Sequence, residues 1–579
     1  MRIVVCNVPL RSENLKTTYP PLGALAVIQS LRAAGYDTAF YDINVFRYTE
    51  DEMKSYFAKN KFDIVGISAT VSTSYKFVKK LASAIRNVSP NTVIVAGGAL
   101  TASAEILVKF SDVDFCVICE GEKTIVNLAD HISRHGRGKD SEELKKIKGI
   151  CFLDSKSAAV FTGYEQQISV SEITDADYGI IEKHSRIDNY IIEPFYYEQF
   201  KHDSRSYEER REGKKLATVV SSRGCVNRCT FCHRWQRGIR ILPVDRVIGH
   251  IRHLQKNHNV GFVSFGDEDF GANRKWTEEF IEKIKPLDIL YRISGARADN
   301  VNLDLLNSLR QSGCVSIHYG FESGSDDMLK VMEKRADAAL NVRVAEWTHK
   351  AGLQTVYALV VGMPGESHKT IKETTGFCEK VTEFLPRDPI LSVNALVALP
   401  GAPVYEYARY KGFLGKTLED EENYLLRISD QGGESIKQLN LTDYPYFIVQ
   451  GWIRCIYWAV NYNYHVKKNL PRLSTKKLIS AIFGIILRRN RGAKGFSDSL
   501  FSNTLFYRLR YVVAPLVIML KNYKEDKSLF FQRCLELAVW PFKKKEFTDY
   551  VSVRAFLAKK LGDVKQLAPN SVEVLKWGR

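Results

Sequence analysis

With 579 residues, 45% of them hydrophobic and 26% charged, the chain can bury several cores and lies far from the compositions of disordered or fibrous proteins. Eleven mostly scattered cysteines and an opening M-R-I-V-V-C-N-V that reads as a buried strand argue against a disulfide scaffold and a cleavable signal, so the expected compartment is a reducing cytoplasm. The net charge of +17 is concentrated at one end: from His465 to Arg579 there are 24 Lys and Arg against 8 Asp and Glu, which points to an anionic partner or to a solvated helical face.

The first 135 residues alternate short apolar runs with helical patterns: Ile3 to Val8 and Leu22 to Ala34, Thr38 to Tyr41 and Glu50 to Lys59, Ile64 to Ser68 and Ser74 to Val88, Thr92 to Ala96 and Ala102 to Phe110, Phe115 to Cys119 and Thr124 to Ser133. This predicts a Rossmann-like parallel sheet covered on both faces, with any ligand beyond the strand carboxyl ends. The loops there, Ser68 to Ser74, Gly97 to Thr101 and Glu120 to Thr124, are small or polar, which lets the backbone approach a bulky ligand. Cys116 and Cys119 sit in an apolar run without a second pair and are read as core residues. Residues 136–216 are expected to be a connector, charged at both ends and rich in Tyr and Ile between Asp175 and Phe200.

From Ala217 the alternation resumes, with strands expected at Ala217 to Ser221, Gly261 to Phe265, Ile289 to Ile293, Val315 to Phe321, Thr355 to Val361 and Leu391 to Leu399. Six such strands predict a partial (β/α)6 TIM-type barrel over residues 217–415, with chemistry at the carboxyl ends. The loop after the first strand reads C-V-N-R-C-T-F-C, a C-x3-C-x2-C run of Cys225, Cys229 and Cys232. Three thiolates this close can hold three irons of a cubane cluster and leave the fourth iron open to a small-molecule ligand. A structural zinc would need four ligands from two separated pairs, and no second pair lies nearby. His233 reads as a loop histidine lining the site, with a ligand or proton-donor role as the alternative. Later strand ends carry Gly266-Asp267-Glu268-Asp269-Phe270, Ser294 with Arg297, Gly320-Phe321-Glu322-Ser323-Gly324-Ser325, and Val361-Gly362-Met363-Pro364-Gly365-Glu366. Each alone is weak, because a lone strand-end Glu is more often a cap or an ion-pair partner; the ordered set carries the signal.

The cysteine spacing, with the aromatic Phe231 before the last cysteine, resembles that of the radical S-adenosylmethionine (SAM) superfamily. That resemblance implies a 4Fe-4S cluster on Cys225, Cys229 and Cys232, SAM on the open iron, and SAM contacts from Phe231, Gly266, Asp267, Glu268, Ser294, Arg297, Glu322 and Met363. The first domain is similar to the cobalamin-binding domain in front of many radical SAM cores, through Pro20, Pro21, Leu22, Gly23, Leu25, Gly66, Ile67, Ser68, Gly97, Gly98, Gly121 and Glu122. It implies cobalamin contacts from Ser68, Thr70, Ser72, Gly97, Gly98, Glu120 and Gly121. Two departures stand out: a D-x-H-x-x-G motif is absent, and Leu100 occupies a position where related chains often carry His. Methylthiotransferases share the barrel but need three further cluster cysteines, a pattern that Cys6, Cys116 and Cys119 do not match.

Residues 416–579 are expected to form a basic, mainly helical C-terminal domain. Its apolar runs, Lys476 to Arg491 and Leu505 to Lys524, lie between basic ends; the second is too short to span a bilayer and contains Pro515. Such helices either cap the barrel or rest in a membrane interface, which would add membrane association to the cytoplasmic expectation. The resemblance implies an enzyme that methylates an unactivated carbon through methylcobalamin and a 5'-deoxyadenosyl radical. It also implies a small-molecule or lipid-like substrate and an electron donor such as flavodoxin or ferredoxin. The alternatives are a cyclase, oxidase or rearranging enzyme that binds cobalamin without methyl transfer and, from another class, a nucleic-acid-binding or RNA-modifying protein. The aromatic-poor helical runs of the tail argue against the last.

Overall fold

The computed structural model describes residues 1–11, 17–138, 142–232, 238–384, 391–429, 439–470, 474, 476 and 504–542. His233, the apolar run that follows Lys476, and the chain beyond Phe542 lie outside the described residues.

The first sheet has seven strands: β1 (Arg2–Asn7), β2 (Asp37–Asp42), β3 (Ile64–Ser68), β4 (Val93–Gly97), β5 (Phe115–Val117), β6 (Ile150–Leu153) and β7 (Ala159–Phe161), in the order 2-1-3-4-5-6-7. The first five pair in parallel, and β6 and β7 add on antiparallel. Ile3, Val4, Val5 and Cys6 are buried in succession, the unbroken apolar run of a strand covered on both faces. Strand order reverses at β1, which places the ligand crevice of such a sheet at the carboxyl ends of β1 and β3. The β3 and β4 loops there are cross-braced: Ala69 N donates to Gly97 O (2.9 Å), Leu100 N to Ala69 O (3.2 Å), and Thr101 Oγ1 to Gly98 O (2.8 Å) and Val117 O (3.2 Å). β6 and β7 fall within the expected connector; each is too short to show a period in the sequence.

The next strands are β8 (Lys215–Val219), β9 (Ser222–Gly224), β10 (Ile239–Ile241), β11 (Val260–Phe265), β12 (Leu290–Ala296), β13 (Cys314–Glu322), β14 (Tyr357–Val361) and β15 (Leu391–Ala395). Six of them make the barrel-type sheet, in the order 15-14-13-12-11-8, while β9 and β10 form a separate antiparallel hairpin. Along β12 and β13 alternate side chains face the covering helices: Tyr291 reaches Ser312 (2.7 Å) and Tyr319 reaches Thr348 (3.1 Å). Arg292, Ser294, His318 and Glu322 therefore share the other face.

The chain folds as two compact units, Met1–Gly266 with Ala398–Lys437, and Asp267–Val397 with Gln438–Lys560. In the first, helix Leu418–Ile428 lies against the first domain, where Tyr75 OH donates to Glu422 (2.8 Å) and Lys76 N to Ser429 Oγ (3.1 Å). In the second, helices Tyr446–Lys467 and Thr504–Glu525 cross where Gly451 faces Pro515; a Cβ at 451 would lie 3.0 Å from the proline ring. Both helices cap the barrel helix His368–Val381: Trp452 Nε1 donates to His368 Nδ1 (3.1 Å), while Asn463 (2.7 Å) and Tyr507 (3.2 Å) donate to Glu379. Among the described residues no helix is long and apolar enough to cross a membrane.

Gly98 holds φ +88°, and a Cβ there would sit 2.5 Å from Ala69 O, whereas Gly97 has no atom within 4 Å of that position. Gly98→Ala is expected to cost about 1–3 kcal/mol and lower the thermal midpoint of the cofactor-free protein, while Gly97→Ala leaves it unchanged.

Candidate active site

At the end of the first sheet the expected cobalamin residues take distinct stations. Ser68 and Gly97 are half-buried, Thr70 and Gly98 are exposed, and Ser72 is fully buried. The hydroxyl groups of Ser72 and Ser103 are buried without a hydrogen-bond partner, although both belong to the strand-end loops. An orphaned buried hydroxyl is costly unless a ligand completes it. Gly23 and Gly97 present bare backbone to open space. Leu100 is buried, so that position faces the core.

Cys116 is a core residue as expected, its thiol pushed well above the usual range by burial. Cys119 is not. β5 stops at Val117, and Cys119 is half-buried with φ +67° because the chain turns through a left-handed residue to deliver Glu120. Glu120 in turn meets protein: its two oxygens accept from Arg240 Nη1 (2.8 Å) and Nη2 (2.6 Å), and it also accepts from Ile168 N (3.2 Å). Gly121 packs under Val27, with room for no more than a tight Cβ at 3.3 Å, and caps helix Glu122–His135.

The three cysteines lie between β9 and β10. Cys225 is half-buried, Cys229 buried and Cys232 exposed. Within the loop Asn227 donates to Cys225 Sγ from its backbone (3.4 Å) and its side chain (3.2 Å) and Cys232 N donates to Cys229 O (3.2 Å), while from far along the chain Val404 N donates to Thr230 O (3.0 Å). N–H donors aimed at a sulfur favour its thiolate form. Phe231 is half-buried between the last two cysteines. Among the described residues no three His, Cys, Asp or Glu side chains converge on one point that would hold a single metal ion. A cubane does not ask for that convergence, since each thiolate takes its own iron.

In the second unit the remaining candidates end successive strands. Asp267 is buried, and its carbonyl oxygen lies so close to Gly295 that a Cβ there would come within 2.1 Å. Glu268 is exposed. Ser294 Oγ accepts from Arg292 (3.1 Å). Arg297 is held by Asp299 through two bonds (2.9 and 3.1 Å) and also donates to Lys334 O. Glu322, at φ +60°, turns its carboxylate back over Gly320 onto Lys334 Nζ (3.0 Å); a Cβ at 320 would fall 2.1 Å from that carboxylate. A non-glycine residue in this conformation is held there by its surroundings. The following Ser323-Gly324-Ser325 turn is tied to Thr374, which Ser323 (2.9 Å) and Gly324 N (3.1 Å) both reach. Met363 is fully buried, and its N–H (3.3 Å) and that of Gly362 donate to Glu366, whose pKa burial pushes up to about 7 against the lowering effect of those two bonds. Lys334, Arg223 and Arg240 carried no signal in the sequence, because each is separated from its partner by 12 residues or more.

Residues 219–378 match the Radical SAM superfamily, and residues 11–129 match the B12 binding domain. The chain thus carries a B12-binding domain followed by a radical SAM domain. It is 28% identical over 387 residues to the anaerobic magnesium-protoporphyrin IX monomethyl ester cyclase of Cereibacter sphaeroides, covering 65% of this chain and 59% of that one. The cyclase of the same name from Rubrivivax gelatinosus is 27% identical over 62% of this chain and 61% of its own. The chain thus spans about three-fifths of the length of these two relatives. An uncharacterized methyltransferase of Pyrococcus horikoshii is 26% identical over 68% of this chain and 79% of its own. In fold, this radical SAM chain resembles the methyltransferase TsrM of Kitasatospora setae with cobalamin and a 4Fe-4S cluster bound (TM-score 0.56, 16% identity, 72% of this chain and 79% of that one). The cobalamin-dependent enzyme OxsB is also similar (TM-score 0.60, 14% identity, 100% and 84%).

The family's cofactors are cobalamin, a 4Fe-4S cluster and SAM, and the residues present fit them: orphaned hydroxyls and bare glycines at the first sheet, three thiolates on one loop, and a strained carboxylate at β13. Replacing Cys225, Cys229 and Cys232 together by Ala is expected to abolish iron and sulfide incorporation on anaerobic reconstitution while the first domain stays folded, whereas Cys116→Ala leaves the cluster in place. Iron and sulfide analysis beside circular dichroism reads both.

Proposed function

We propose that the chain is a cobalamin-dependent radical SAM C-methyltransferase that acts on an unactivated carbon of a small-molecule or lipid-like substrate. The observation that carries the reading is that the cobalamin-type sheet end and the three-cysteine loop belong to one compact unit, so both cofactor stations are built by the same piece of chain. Coverage of two methyltransferases favours methyl transfer: the match takes 79% of the P. horikoshii protein and 78% of the cytidylyl-2-hydroxyethylphosphonate methyltransferase of Streptomyces wedmorensis (21% identity), against 59–63% of the cyclases. The higher identity of the cyclases supports the second reading, radical cyclisation without methyl transfer.

When bound, the cofactors supply what side chains cannot, a hydrogen-abstracting radical and a methyl carrier. The protein's share is to bind and orient. Cys225, Cys229 and Cys232 would hold the cluster, with Asn227 stabilising the first thiolate. Glu322, fixed by Lys334, would accept the ribose hydroxyls of SAM, and the buried Asp267 segment would meet its ammonium through carbonyl oxygens. Serine hydroxyls and bare glycines would receive the corrin. The electron would come from a flavodoxin or ferredoxin.

We also propose a peripheral membrane contact. Helix Thr504–Glu525 buries Ala514 and Ile518 but exposes Leu505, Leu509, Val512, Leu516 and Leu520 at helical spacing on the opposite side. The next helix, Lys527–Val539, exposes Phe531 and Leu535, and a Lys543-Lys544-Lys545 triplet follows it in sequence. Apolar stripes beside a basic segment suit an anionic bilayer surface.

SAM labelled in its methyl group is expected to yield labelled product with one S-adenosylhomocysteine and one 5'-deoxyadenosine per turnover. Unlabelled product with 5'-deoxyadenosine would establish the cyclase reading, and labelled product without 5'-deoxyadenosine would remove the radical step. Leu509→Glu with Leu516→Glu is expected to abolish low-salt sedimentation with anionic vesicles; equal sedimentation of this variant and the parent would contradict the membrane contact.

A further inference from the structure

The hairpin that brackets the cluster cysteines carries two like charges face to face. Arg223 on β9 and Arg240 on β10 are direct cross-strand partners. Like charges so placed destabilise a strand pair, and each of these strands is three residues long, so the hairpin has little pairing of its own to offset them. The compensation comes from more than 100 residues upstream, in the first domain. Arg240 grips Glu120 through a two-point fork (2.8 and 2.6 Å), and Arg223 donates to Glu122 (2.6 Å) while standing 3.6 Å from Glu120. Arg240 also donates to Ile168 O (2.7 Å), whose own N–H returns to Glu120. The four side chains are only 8–21% exposed. Charges this dehydrated stay in place only as a matched set.

We propose that Glu120, Glu122, Arg223 and Arg240 are positioning residues that lock the cluster loop onto the cobalamin domain, so that the Gly121-Glu122 turn acts on the hairpin and not on the corrin. The proposal rests on the cofactor reading above. Arg223 is two residues from Cys225 and Arg240 lies on the strand that closes the hairpin, so the two ion pairs flank Cys225, Cys229 and Cys232 on both sides in sequence. A shift of the clamp would move the thiolates, and with them the open iron, relative to the corrin-facing loops of the same unit.

The test uses the full chain, reconstituted anaerobically with iron and sulfide, as wild type, E120Q, R240Q and the double variant. Deuterium exchange of peptides from 222–241 is expected to rise about 10-fold in each single variant, because each leaves an unmatched, largely covered charge. The double variant is expected to exchange no faster than the worse single, since the pair is lost once only. Peptides of β1 to β5 serve as the fold control and stay unchanged. The SAM-induced change in the electron paramagnetic resonance spectrum of the reduced cluster is expected to shrink in the variants. Retention of hydroxocobalamin by E120Q is expected to match wild type. Unchanged hairpin exchange in both singles, or additive effects in the double, would overturn the clamp. So would loss of hydroxocobalamin from E120Q with an unchanged hairpin, which would make Glu120 a corrin ligand. A wild type that takes up no hydroxocobalamin would instead refute the cobalamin reading, and hairpin exchange would still judge the clamp.

Discussion

The constraint on which the site depends is that a loop long enough to wrap a cubane cannot hold itself still. Among the described residues of the loop, 225–232 and 238, there is no helix or strand; Asn227 and Cys232 bond within the loop, and Thr230 O reaches out to Val404 N. What fixes them is the closing hairpin, and what fixes the hairpin is the dehydrated ion-pair set with Glu120 and Glu122. Losing one partner of a fully buried pair costs about 3–5 kcal/mol, and the part-buried pairs here, 8–21% exposed, cost a share of that. The connector joins the same arrangement through Ile168, and Tyr190 and Ser185 tie it to Asp42 at the end of β2. The stretch without motifs thus braces one cofactor station against the other.

At the second unit the same economy appears as strain. Glu322 adopts a left-handed conformation, Gly320 makes room for its carboxylate, and Lys334 holds it, while Glu366 is buried beneath the β14 turn to satisfy two backbone N–H groups. The folded pKa of Glu366, about 7, lies above the ordinary carboxyl value. Its favourable contribution is therefore full below the unfolded pKa and is lost as pH rises through about 7. Functional groups are set by geometry that would be unfavourable without the surrounding loop.

Much of this was legible in the sequence. Period and length exposed the parallel strands of both sheets because continuous apolar runs between helices leave few other readings, and the cysteine spacing with the ordered strand-end motifs pointed to the radical SAM domain found at 219–378. What escaped depended on distant partners. β6 and β7 are three or four residues long, and Arg223 and Arg240 look like ordinary loop cations until Glu120 is seen beside them. Helix Leu418–Ile428 lies on the first domain although it follows the barrel, a placement that Tyr75 and Glu422 decide and no local pattern announces. Cys119 was misread for a related reason: an apolar run continued on paper past the point where the chain turns.

Metal and corrinoid content of the wild-type chain decides whether both cofactor stations exist. After anaerobic reconstitution with iron, sulfide and hydroxocobalamin, about four iron, four sulfide and one corrinoid per chain are expected, with zinc absent. A chain that takes up zinc at the cysteine loop, or that builds the cluster yet retains no corrinoid, would contradict that expectation.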